Sequence, residues 1–182
     1  LLRDSGVKLL LIHADLLTPI AAAIPEGLKV VVVATPPEIQ SAYGVSGDLP
    51  PGLPVWHELL DQAAPWTREP EVAPSTIIYT SGTTGRPTGV WRDPFTPEQA
   101  AATTRMLGWS YGYTDYLEGR RDPAEIVTAV VGPVYHAAPN AHSGFSIRAG
   151  ANVVIVPRFD AEGLLKLIEE KRITHLNMVP IM

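Results

Sequence analysis

The sequence predicts an α/β fold: mostly parallel sheets flanked by helices. Three observations point to it. Apolar strand-like runs alternate with helical segments along the chain, as expected of a parallel sheet with crossover helices. The run Leu28–Ala34, Leu-Lys-Val-Val-Val-Val-Ala, is dominated by β-branched residues, which implies burial on both faces. Two loops, Thr80–Gly85 and Pro133–Asn140, leave apolar runs, and in such sheets ligands bind beyond the carboxyl ends of the strands.

Each element follows from a local signal. Val7–His13 is a short apolar strand. Asp15 is placed to cap a helical segment reaching about Ile24, which Pro25-Glu26-Gly27 breaks. With Leu28–Ala34 this makes a βαβ unit. Residues 35–74 hold eight of the 18 prolines and read as a surface excursion with one short helix, Val55–Ala63. Trp56 and Trp66 are expected to be packing anchors there. A β-branched run at Thr76–Tyr79 then leads into six small residues, Thr80 to Gly85. Thr96-Pro97-Glu98-Gln99 is a capping box with proline at the first helical position, opening a helix to about Leu107 or Trp109. Tyr116–Pro123 reads as a loop, and Ile126–Val131 as a strand closed by Gly132 and Pro133. A helix is expected over Ala141–Ala149 and a strand over Asn152–Val156. Asp160 caps a helix from Ala161 to Arg172, with Leu164, Leu165 and Ile168 on its buried stripe. Ile173–Val179 is the last strand.

Composition narrows the function. The chain has 182 residues, is 46% hydrophobic and carries a net charge of −5. That suits a globular domain and argues against a nucleic-acid surface, although Arg120-Arg121 is a local basic pair. With no cysteine, disulfides and thiol catalysis are excluded, which fits a cytoplasmic protein. No run is long enough to span a membrane, which leaves room only for peripheral contact. The opening Leu1-Leu2-Arg3-Asp4-Ser5-Gly6 reads as the tail of a helix, and Val179–Met182 follows directly on a strand, so the chain is expected to be a fragment of a larger protein.

Two stretches carry chemistry. In Ser75–Val90, Gly82 and Gly85 permit close backbone approach, successive N–H groups can form an anion-binding nest, and Thr80, Ser81, Thr83 and Thr84 add hydroxyl donors. The spacing is not that of a Walker loop. In Tyr135-His136-Ala137-Ala138-Pro139-Asn140, a histidine sits at a strand end. His13 and His175 lie in apolar runs and read as structural. His142 stands at the start of the expected following helix. No histidine pair has metal-ligand spacing.

The string Tyr79–Val90, Tyr-Thr-Ser-Gly-Thr-Thr-Gly-Arg-Pro-Thr-Gly-Val, closely resembles the phosphate-loop signature of the adenylate-forming superfamily, which includes acyl-CoA synthetases, luciferases and peptide-synthetase adenylation domains. The aromatic-histidine pair Tyr135-His136 also matches that family. Pro157-Arg158-Phe159-Asp160 and Ile173–Pro180 resemble bacterial fatty-acyl-CoA synthetases in particular.

The resemblance implies that residues 1–182 are part of the large N-terminal adenylation (AMP-binding) domain, with the small C-terminal domain absent. It implies ATP-dependent activation of a carboxylic acid, by expectation a fatty acid, and transfer to coenzyme A. Mg²⁺ would accompany the ATP phosphates. The partners are then small molecules rather than nucleic acid. Phosphate contacts fall on Thr80, Ser81, Gly82, Thr83, Thr84, Gly85 and Thr88. His136 takes the catalytic position, and Tyr135, His136, Ala138 and His142 take the acyl pocket. One departure stands out: Thr88 occupies the place where the family usually has lysine. A decayed, non-catalytic homologue that binds ligand in a regulatory role is the alternative.

Overall fold

Strands β1 (Leu9–His13) and β2 (Lys29–Val33) pair in parallel, Leu9 opposite Lys29 through His13 opposite Val33. Helix α1 (Ala14–Ile20) and a 3₁₀ turn (Ala21–Ala23) connect them, so the predicted βαβ unit forms. This is a computed structural model, and it describes residues 1–68, 76–80, 85 and 87–179. The chain divides into two compact units, Leu1–Pro94 and Phe95–Met182.

In the first unit the β2 run buries Val31 and Val32, with Val32 fully enclosed. Val32 N–H donates to Pro54 O at 2.8 Å, and Val55 bridges to Val32 in parallel. The proline-rich segment is therefore more than a surface excursion, because its middle extends the sheet edge. Among its described residues it also holds two helices rather than one, α2 (Pro37–Tyr43) and α3 (Trp56–Asp61). Asp15 does not cap α1, whose N-cap is His13. Its carboxylate instead accepts from the Thr35 hydroxyl and, at 3.0 Å, from Gly47 N–H. Those bonds, led by Thr35, hold Asp15 below its ordinary pKa.

Strands β3 (Ile78–Thr80) and β4 (Thr88–Val90) form an antiparallel hairpin, with Thr80 opposite Thr88 and Tyr79 opposite Gly89. A Cβ at Gly89 would lie 3.0 Å from the Tyr79 ring and 3.1 Å from Ile77, so a larger residue there would push these two side chains aside. Tyr79 Oη donates to Asp4 at 2.6 Å and ties the hairpin to the first turn of the chain.

The second unit is a three-stranded parallel sheet in the order β6-β5-β7, with β5 Val127–Val130, β6 Asn152–Ile155 and β7 His175–Asn177. Parallel strands thus divide between two sheets, and the hairpin stands apart. Helix α4 (Pro97–Ser110) starts at the expected capping box: Gln99 N–H donates to Thr96 Oγ1 at 3.3 Å, and Thr96 N–H to Gln99 Oε1 at 3.0 Å. Tyr116–Pro123, read as a loop, is one over residues 118–122; a short helix, α5 (Thr114–Leu117), and a 3₁₀ turn at Pro123–Glu125 overlap its two ends.

Two cores flank the central strand β5. On one side Tyr113, Tyr116, Ile126 and Phe145 pack together, and on the other Ala129, Val131 and Leu164. Helix α6 (Ala137–Arg148) supplies Phe145. Helix α7 (Ala161–Lys171) supplies Leu164, and Asp160 caps it by accepting from Gly163 N–H at 2.6 Å. Leu165, expected on the buried stripe of α7, is 68% exposed, whereas Ile168 packs against the core.

Candidate active site

The sheet of the second unit places its chemistry at the carboxyl ends of its strands, where parallel sheets hold ligands. There β5 runs out into Gly132-Pro133, α6 begins just after its N-cap His136, and β7 ends at Asn177. Segments 132–133, 136–139 and 177–179 line one cleft of about 500 Å³. His136 and Ala138 are in it, together with Ala137 and Pro139.

Helix α6 starts at Ala137, four residues before the expected Ala141, so the loop read as Tyr135–Asn140 is largely its first turn. His136 is the N-cap, and its side chain makes no capping bond. The first-turn N–H groups of Ala137 and Ala138 have no acceptor inside the helix, and the helix dipole adds positive potential where the cleft opens. The Tyr135 ring is 84% exposed and lies 4.8 Å from the His136 ring, centre to centre, but is not part of the cleft wall.

His142 is placed elsewhere. Moving the helix start back puts His142 in the second turn, on the face shared with Phe145 and Ser146. It is 2% exposed and lies outside the cleft lining. Thr128 Oγ1 donates to His175 O at 3.1 Å, so it accepts from His142 Nε2 at 2.8 Å. That puts the His142 proton on Nε2 and leaves Nδ1 buried with no partner among the described residues. On the same face Ser146 Oγ donates to His142 O at 2.7 Å, and Tyr113 Oη donates to Ser146 at 2.9 Å. The Tyr111 ring stands edge-on to His142 at 4.7 Å.

Burial first, then the neighbouring His175, depresses the His142 pKa below its ordinary 6.5. Below about that pH the unfolded chain takes up a proton that the folded chain resists, so stability is lost as pH falls from there toward the folded value. The limiting slope is about 1.4 kcal/mol per pH unit for one such group. Thermal unfolding followed from about pH 7.5 to about pH 5 should show this acid loss, and His142→Gln should reduce it, leaving the part due to His175, which burial also depresses. An unchanged slope in His142→Gln would show that His142 is not its source.

Of the phosphate-loop residues, Thr80 ends β3, Thr88 begins β4, and Gly85 has φ +76°, a conformation that suits glycine. Ser81, Gly82, Thr83, Thr84 and Arg86 lie outside the described residues. The loop leaves an antiparallel hairpin rather than a parallel strand, and it belongs to the first unit while the cleft belongs to the second. The sequence reading missed Asn177 and Met178. The available signal was a polar residue at the end of the last apolar strand, but its pairing beside β5 is a long-range fact. The basic pair Arg120-Arg121 is matched locally: Arg120 pairs with Asp115 and Glu118, and Arg121 with Glu125. Among the described residues no group of three His, Asp or Glu could hold a metal ion, and no helix is long and apolar enough to cross a membrane.

The fold is that of the N-terminal domain of acyl-CoA synthetases. A solved structure from Rhodopseudomonas palustris, described as a long-chain-fatty-acid CoA ligase, superposes on 98% of this chain and 40% of its own with a TM-score of 0.62 at 18% identity. A sequence model of the AMP-binding enzymes matches residues 1–182, and the chain belongs to that family. Indoleacetate–CoA ligase of Aromatoleum aromaticum is 33% identical over 142 residues, 75% of this chain and 26% of that protein. Long-chain-fatty-acid–CoA ligase of Bacillus subtilis is 34% identical over 108 residues, 58% of this chain and 17% of that protein. The chain therefore spans about a quarter or less of the length of these two relatives.

Proposed function

We propose that the complete protein activates a carboxylic acid with ATP and transfers the acyl group to coenzyme A. The observation that carries this reading is the match of the whole chain to the AMP-binding enzymes, joined to a cleft at the strand ends that opens on His136. A carboxylate oxygen attacks the α-phosphorus of ATP, and the bond from that phosphorus to the bridging oxygen breaks, releasing pyrophosphate. The coenzyme A thiol then attacks the acyl carbon, loses its proton, and displaces AMP.

This chain's part is positioning and charge stabilisation. Residues 80–85 and Thr88 hold the polyphosphate, which carries its own Mg²⁺. His136 donates a hydrogen bond to the reacting carboxylate. Ala137 and Ala138 leave room for the acid, whose body is apolar, as in a fatty acid. Thr88 favours a second reading, a ligand-binding homologue without turnover, because it stands opposite Thr80 at the neck of the loop where a lysine would add charge.

The test is pyrophosphate release by the complete protein with MgATP and a panel of carboxylic acids, followed by thioester formation with coenzyme A. Acid-dependent release supports the ligase, and its absence with every acid would overturn it. Thr88→Lys separates the two readings. A rise of about tenfold or more in pyrophosphate release marks an impaired loop. Equal rates mark a loop that works with threonine.

A further inference from the structure

Within that cleft one polar side chain has no role in the mechanism above. Asn177 is the last residue of β7 and pairs with Val130 of β5. Side chains alternate along a strand, so Asn177 shares a face with His175 and Val130 with Thr128. That face is turned to α6, since Thr128 bonds His142 and the His175 ring packs 5.0 Å from Tyr113, itself bonded to Ser146. Asn177 therefore turns its carboxamide toward the start of α6, into the cleft it helps to line. The neighbouring side chains there, Pro133, Ala137, Ala138, Pro139, Met178 and Val179, are apolar. His136 and Asn177 supply the polar side chains, and among the described residues neither has a hydrogen-bond partner.

An open cleft lets water satisfy the carboxamide. An acid that fills the cleft displaces that water and must offer a partner, or leave two donors and an acceptor unpaired in an apolar site. A plain hydrocarbon chain offers none. The two relatives described above are named for a long-chain fatty acid and for indoleacetate, so membership of the family does not choose between these chemistries. We propose that Asn177 is a specificity-determining residue, and that the substrate is a carboxylic acid with a largely apolar body bearing a hydroxyl, keto or ring N–H group that bonds the Asn177 carboxamide. This rests on the acid-activating reading of the same cleft.

The test uses the complete protein and matched acids: hexanoate against its hydroxy and keto derivatives at each carbon, and phenylacetate against indoleacetate. The readout is kcat/KM for pyrophosphate release. At least one polar member should exceed its hydrocarbon counterpart by about tenfold or more, and Asn177→Leu should collapse that ratio toward unity by raising the hydrocarbon acid and lowering the polar one. Asn177→Asp, which keeps shape and an acceptor but removes the donors, should retain selectivity only for hydroxyl and N–H acids and lose it for keto acids. A hydrocarbon preference in the unmodified protein, or an unchanged ratio in Asn177→Leu, would overturn the inference while leaving the ligase reading intact. Absence of release with every acid would overturn both.

Discussion

Replacing His136 with alanine in the complete protein is expected to lower kcat/KM for acid-dependent pyrophosphate release by about 100-fold or more, with little change in thermal stability. The two halves of this expectation have separate causes. His136 sits at the mouth of the cleft as the N-cap of α6 yet makes no capping bond, and its side chain is exposed. Removing it therefore withdraws no buried packing. A positioned donor at a reacting oxygen contributes roughly 10²- to 10⁴-fold. His136→Gln keeps a donor on a side chain of similar reach and should recover part of the rate. A His136→Ala rate within about threefold of the unmodified protein would remove His136 from the mechanism.

Replacing Tyr113 with alanine should lower the unfolding free energy by about 3–5 kcal/mol, the usual cost of emptying a buried aromatic site. Tyr113 is fully buried and packs against Tyr116, Ile126 and Phe145. Its ring also meets Tyr111 and His175 edge-on. Tyr113→Phe keeps the ring and removes the hydroxyl bonded to Ser146, and should cost only about 1 kcal/mol. Chemical denaturation of the two variants side by side measures both numbers. Equal losses would mean that the hydroxyl, not the ring, holds this core together.

Local signals were legible in the sequence, and long-range pairings were not. The capping box at Thr96 and Gln99, the Asp160 cap and the β-branched run of β2 each declare themselves within a few residues, and each forms as read. The division of the strands among separate sheets depends on partners far apart in the chain. Nothing in Ile78–Thr80 alone distinguishes a hairpin strand from a parallel one. Helix α6 is the instructive case. Its buried face carries His142, Ser143, Phe145 and Ser146, three of them polar, so hydrophobic periodicity marks neither its start nor its inward side. Reading its start at Ala141 put His142 at the mouth of a pocket, whereas a start at Ala137 turns it into the core. The resemblance to the family was legible in the dozen residues Tyr79–Val90, supported by Tyr135-His136 and the stretches near 157–160 and 173–180, and did not require the fold.

The Thr128 hydroxyl joins three elements at one atom: it lies on β5, accepts from His142 on α6, and donates to His175 on β7. The segments that line the cleft adjoin those same three elements. Thr128→Val keeps the shape of the side chain and removes both bonds at once, so its cost in stability would fall on all three elements together.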